Sequence, residues 1–167
     1  MKYFFGCGGR PCRPPCNICH NCPPSLPQCY GNVLVAAGTG IDPHEFLSPT
    51  LHVPFGDALY SIGDSVAHAG DSHEFVIEND GQYGICYQLS VYNPALVSDI
   101  PIEAAVRLMS DASGMLDEVQ VTTQFHLLQR CVSAYLSAGE GIYLTVTQPE
   151  LTETGVNSAA IVIAKLT

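Results

Sequence analysis

Alternation of apolar and polar residues is the dominant pattern in this chain. Tyr83, Ile85, Tyr87, Leu89 and Val91 alternate with Gly84, Cys86, Gln88 and Ser90. Side chains two apart share one face of a strand, so one face of this run belongs to a core. The pattern returns at Ile102, Ala104, Val106 and Leu108, and again at Val119, Val121, Thr123 and Phe125. It then runs through Leu128, Arg130, Val132, Ala134 and Leu136, set against Gln129, Cys131, Ser133 and Tyr135, and through Ile142, Leu144 and Val146. Turn chemistry separates the runs at Asn79-Asp80-Gly81, at residues 111–114 and at residues 137–141. The first of these predicts a hairpin joining residues 75–77 to the long strand. Residues 32–37 read as a first strand, and residues 58–62 and 65–68 as short strands. Pro43, Pro49 and Pro54 make residues 41–54 a loop or an edge. Residues 148–158 read as a loop. Residues 159–166 are almost continuously apolar, which fits a strand covered on both faces, at a sheet centre or an interface. No segment shows a helical period. Many strands with glycine-rich turns predict an all-β sandwich.

Residues 1–32 form a separate region, a connector arm ahead of a domain at residues 33–167. Cys7, Cys12, Cys16, Cys19, Cys22 and Cys29 alternate there with prolines and glycines. Few apolar side chains are present, so the segment cannot bury enough surface to order itself. Its shape must come from cross-links, a metal or a partner. Cys12, Cys16 and Cys19 have the spacing of a radical-enzyme iron–sulfur site, but nothing helical follows to build the barrel such enzymes need. Cys16, Cys19, His20 and Cys22 offer a zinc knuckle, although zinc sites prefer two separated ligand pairs. Disulfides within or between chains are the remaining reading, and spacing does not choose among pairings.

Charge narrows the partners. Six Lys and Arg stand against sixteen Asp and Glu, a formal net charge of −10. That argues against nucleic acid and anionic membrane surfaces. No basic residue lies between Arg13 and Arg107, so a trypsin-like protease finds no site there. The first residues show no signal-peptide pattern, and no window has transmembrane length. Synthesis in a cytosol is the expectation, and eight cysteines then call for later oxidation.

Catalytic chemistry is weakly marked. Asp64, Ser65, His68, Asp71, Ser72 and His73 lie close in sequence, but nothing marks a nucleophile elbow, a phosphate loop or a dinucleotide fingerprint. A cupin-type metal site would group His and Glu on facing strands, whereas His44, His52, His68 and His73 fall in loops or short strands and only His126 adjoins a long one. Gly56-Asp57, Gly63-Asp64 and Gly70-Asp71 recur every seven residues, and read as turns before they read as calcium ligands. No cofactor is implied, and no enzyme is expected.

The order of motifs resembles the C1q/TNF-like jelly roll. Phe75-Val-Ile77 and Gly81-Gln-Tyr83-Gly-Ile-Cys-Tyr87 carry the likeness, with Leu136-Ser-Ala-Gly139-Glu-Gly-Ile-Tyr-Leu144 and the closing residues 158–166. The chain looks most like the branch found on collagen-like glycoproteins of bacterial spore surfaces. That resemblance implies a homotrimer of jelly rolls with about ten strands. It implies that residues 159–166 and 33–37 pair near the threefold contact, with Val33, Val35, Tyr87, Ile161 and Ile163 at the trimer interface. Strands bearing Cys86 and Cys131 would be neighbours, so these two cysteines form a cross-strand disulfide, accept a neighbour's cysteine, or stay as free thiols. The chain departs from the family in having no Gly-X-Y stalk before the head; the Cys-rich arm stands in its place. This departure points to heads linked to heads, in a fibre or lattice on the spore surface or exosporium, made in the mother-cell cytosol and associated with itself and with other coat proteins. The alternative is a discrete trimeric binding head anchored to a coat through its arm. Zinc analysis of the purified chain tests the knuckle: about one equivalent is expected if Cys16, Cys19, His20 and Cys22 hold metal, and none if the arm is cross-linked by disulfides.

Overall fold

The computed structural model describes residues 32–38, 50–70, 72–92, 104–121, 125–147 and 155–167. Eleven strands form among them: β1 Asn32–Gly38, β2 Thr50–His52, β3 Phe55–Ile62, β4 Val66–His68, β5 Glu74–Ile77, β6 Gly81–Tyr92, β7 Ala104–Ser110, β8 Gly114–Val121, β9 Phe125–Leu136, β10 Gly141–Thr147 and β11 Gly155–Lys165. One antiparallel sheet has the order β3-β1-β11-β6-β9. The other has the order β4-β5-β10-β7-β8, with β2 paired to β10 beside β5. The arm cysteines, His20 and His44 lie outside the described residues.

The predicted alternation decides the layers. Tyr83, Ile85, Tyr87, Leu89 and Val91 of β6 all face the interior and are at most 1% exposed. Ile161 and Ile163 of β11 sit beside Tyr87 and Ile85 in register, and Leu34 and Ala36 of β1 follow. From the second sheet, Phe75, Ile77, Val106, Leu108, Ile142, Leu144 and Val146 meet them. Each such side chain contributes about 1.5–3 kcal/mol on burial, which is why the pattern dictates the packing.

Three expectations change. Asn79-Asp80-Gly81 is no hairpin turn: β5 pairs with β4 and β10, β6 pairs with β11 and β9, and the turn carries the chain from one sheet to the other. The Tyr83 hydroxyl donates to the carbonyl of Asn79 (2.6 Å) and lies 3.2 Å from that of Ser65, so it pins the crossing. The loop expected at residues 148–158 ends early, because β11 already begins at Gly155 and absorbs a bulge between Val156 and Ser158. The alternation expected across Val119–Phe125 is split: β8 stops at Val121, and β9 starts at Phe125.

The turn between β9 and β10 depends on Gly139, whose φ of 87° lies in the left-handed region with no heavy atom near an added Cβ. Gly139→Ala is therefore expected to destabilise by about 1–2 kcal/mol through backbone strain alone. A urea midpoint that does not move would refute this.

Candidate functional site: the outer face of the five-stranded sheet

The residues of opposite parity to the core make a second face. On β1, Val33, Val35 and Ala37 point away from the sandwich; their register partners are Ala164, Val162 and Ala160 of β11. Ile62 and Tyr60 of β3 continue the row beside Val33 and Val35, at 44% and 47% exposed. This half of the face is apolar from strand to strand. The other half, on β6 and β9, is mixed: Gln82, Gln88 and Ser90 on β6 and Gln129 and Ser133 on β9 stand among the exposed Leu127 and Tyr135 of β9. Cys86 and Cys131 stand opposite each other in its middle and are joined as a disulfide, with Cα atoms 4.0 Å apart. Cys131 is exposed and Cys86 half-buried.

Three residues assigned to the trimer contact fall elsewhere. Tyr87, Ile161 and Ile163 are 1%, 0% and 0% exposed within a single chain, on the inner face. A subunit contact gains nothing from side chains that the protomer already covers. Val33 and Val35 have the other parity and lie on the outer face, where Val33 is itself buried within the single chain, at 7% exposed, and Val35 is half-buried. Val162, Ala160, Tyr60 and Ile62 belong to the same outer face; the signal available for it was that both parities of residues 159–166 are apolar.

Arg130 is a charged residue on the core parity of β9, directly opposite Tyr87. Its guanidinium grips Asp117 of β8 through both carboxylate oxygens, at 3.1 and 3.2 Å. The Tyr87 hydroxyl donates to the same carboxylate at 2.9 Å. The edge strands of the two sheets are laced together there. The Arg130 hydrogen bonds hold Asp117 below the usual carboxylate range, burial opposes this, and the Tyr87 hydroxyl adds to the lowering. Burial, with the Asp117 charge beside it, pushes the Tyr87 phenol far up.

A second carboxylate organises one pole. Glu140 is 5% exposed and accepts hydrogen bonds from the Ser110 and Ser113 hydroxyls and from the Ser137 N–H. Burial pushes its carboxyl up, but these donors together outweigh burial and lower it. Asp111 accepts from the Gly141 N–H, and Asp80 from the Ala138 N–H. The turns between strands are thus tied to one another at this end.

The residues that suggested a hydrolase do not assemble a catalytic pair. The two ring nitrogens of His68 face the carbonyls of Glu74 and Gly56, both at 2.9 Å, and its ring stacks on Phe75. The Ser72 hydroxyl accepts the Glu74 N–H. Asp71 lies outside the described residues. His52 stacks on Tyr143 and meets His73 edge-on; burial, then the His73 charge, pushes its imidazole down. Among the described residues no group of three or more His, Cys, Asp or Glu side chains is placed to hold a metal ion, and no helix is long and apolar enough to cross a membrane.

No protein-family model matches the chain, and no curated protein matches it. Solved structures do. The crystal structure of murine APRIL at pH 5.0 superposes with a TM-score of 0.60 at 12% identity, covering 81% of this chain and 98% of that one. The pH 8.0 structure of murine APRIL gives 0.59 at 11% identity, covering 80% and 98%. These likenesses establish the fold. The described residues form a TNF-like jelly roll, all-β, in two antiparallel sheets.

Both depressed carboxyls make stability depend on pH in one direction. A carboxyl lowered in the fold stabilises fully above its unfolded value and loses that contribution as pH falls through the folded one. With ordinary carboxyl values of 3.8 for Asp117 and 4.5 for Glu140, the urea midpoint should hold steady down to about pH 5 and fall below about pH 4.5. Replacing both residues, Asp117→Asn with Glu140→Gln, should lower the plateau and flatten the fall. An unchanged acid limb in the double variant would show that neither carboxylate carries it.

Proposed function

We propose that this chain is a structural subunit, without enzymatic activity, of a self-assembling and disulfide-stabilised fibre or surface layer on bacterial spores. In this reading the jelly roll trimerises, and the arm at residues 1–32 reaches the next trimer and is locked to it by cysteines. The apolar half of the outer face is the observation that carries it. Val35, Val162, Ala160, Tyr60 and Ile62 form a continuous apolar patch across β11, β1 and β3. Such a patch marks an association site in a water-soluble fold. Of the residues that the resemblance implies at a trimer contact, Val33 and Val35 lie on this side of the sheet. Six cysteines in the first 29 residues supply the cross-links. A linker that passes from each unit to a different one does not close on itself, so it propagates a filament. Other coat or exosporium proteins are candidate neighbours at the ends of such an assembly.

Two measurements test the two halves of this reading. Light scattering behind size-exclusion should return three times the chain mass for residues 32–167, and Val35→Lys with Val162→Lys should shift it to the single-chain mass with the circular dichroism retained. A single-chain mass for the unmutated domain would refute the trimer. Negative-stain microscopy of the full chain should show filaments that vanish on deletion of residues 1–31, which spares Asn32 at the start of β1. Filaments unchanged by the deletion would refute the connector. Isolated trimers from the full chain would favour the discrete anchored head.

A further inference from the structure

The Cys86–Cys131 disulfide joins residues 45 apart in sequence, so it stabilises the fold chiefly by restricting the unfolded chain and not by holding β6 to β9. β6 and β9 already pair along their whole length, from Gly81↔Leu136 to Tyr92↔Phe125. The bond sits on the outer face, on the two strands farther from β1 and β3, with the exposed Leu127 and Tyr135 further along β9 on either side of it. Its neighbours in register are Gly84 opposite Ser133 and Gln88 opposite Gln129, which are small or flexible. The two sulfurs differ: Cys131 belongs to an exposed residue on the sheet's edge strand, while Cys86 is half-buried on the strand inside it. A thiolate approaching from solvent therefore meets the Cys131 sulfur first.

We propose that this disulfide is the acceptor for covalent assembly, attacked at Cys131 by a cysteine thiolate from the N-terminal segment of a second copy. The step is thiol–disulfide exchange. The incoming thiolate forms a bond to the Cys131 sulfur, the Cys86–Cys131 bond breaks, and the electron pair leaves on Cys86, which water then protonates. One disulfide is consumed and one is formed, so no oxidant is needed. This rests on the assembly reading above and names the site that the arm reaches.

Two observations select the donor. Charge divides sharply along the chain: Lys2, Arg10 and Arg13 lie in residues 1–31, which contain no Asp or Glu. All sixteen acidic residues are in the remainder, where the basic ones are Arg107, Arg130 and Lys165. A cationic segment is drawn to the acidic body of another copy, and nearby positive charge favours the reactive thiolate. Reach argues against closure within one chain by the nearest cysteine. β1 and β9 are three strand spacings apart in the sheet, roughly 14 Å, whereas the three residues from Cys29 to Asn32 span at most about 10 Å.

The test is peptide mapping of covalent multimers of the full chain, with free thiols trapped by alkylation in acid and half the protein labelled with ¹⁵N. The expected result is Cys131 joined to one of the cysteines at positions 7–29, in heavy–light hybrids, with Cys86 alkylated. Cys86→Ser removes the electrophilic bond. Without oxidant it should lower the covalent fraction about tenfold or more, with the jelly-roll circular dichroism unchanged. Multimers that keep Cys86–Cys131 intact, or Cys131 linked only within its own chain, would overturn the inference. If no multimers form at all, the assembly reading fails. The exchange site is then read separately, by adding a synthetic peptide of residues 10–22 with a single cysteine at position 16. An adduct at Cys131 with a free Cys86 supports the site, and no adduct overturns it.

Discussion

A strand that is apolar on both faces must be covered on both faces. β11 is that strand. Ile161 and Ile163 on one parity complete the interior of the sandwich, and Ala160 and Val162 on the other parity look outward beside Val35 and Ala37. Within a protomer only the first set has a partner sheet. Burial of apolar surface is non-directional and scales with area, so the second set, smaller and half-buried, favours contact with another surface by the same physics but less strongly than the first favours the core. The interior packing and the case for association both come from this one strand, which sits between β1 and β6 where its backbone is paired on both edges.

The sandwich is then closed from its sides and its end by polar groups rather than by more hydrophobic area. At the β8–β9 side, Arg130, Asp117 and Tyr87 share one carboxylate across the two sheets. At the β3–β4 side, His68 bridges from the second sheet to the Gly56 carbonyl of β3 in the first. At one pole Glu140 gathers donors from two turns. Buried polar groups are costly unless satisfied, so each of these clusters fixes geometry that hydrophobic packing alone leaves loose.

The strands were legible because period two is a direct record of the pleat. Tyr83 through Val91 are buried at each odd position, as their spacing indicates. Pairing of β1 with β11 and of β6 with β9 was legible only through the order of motifs. What stayed hidden has physical reasons. Asn79-Asp80-Gly81 has local turn chemistry, and local chemistry does not say whether the following strand returns to the same sheet or crosses to the other. Tyr87, Ile161 and Ile163, expected at the trimer interface, are buried in the core of the single chain; large apolar residues suit a core and an interface equally, and only parity relative to β6 tells the two faces apart. Arg130 did carry a signal. A charge on a core parity points to an ionic partner across the sandwich, and half-buried Asp117 is that partner, thirteen residues away on a strand of the other sheet. The Cys-rich segment has no periodicity to read.

β1 and β11 are antiparallel neighbours, with Asn32 beside Lys165. The carbonyl of Thr167 lies close against Gly81, at the same pole as the turns held by Glu140. A polypeptide cargo grafted after Thr167 would therefore emerge next to the root of the leader and crowd its exit. An epitope or an enzyme displayed from the opposite pole, where β3 begins and β6 and β10 end, would lie away from both of these ends.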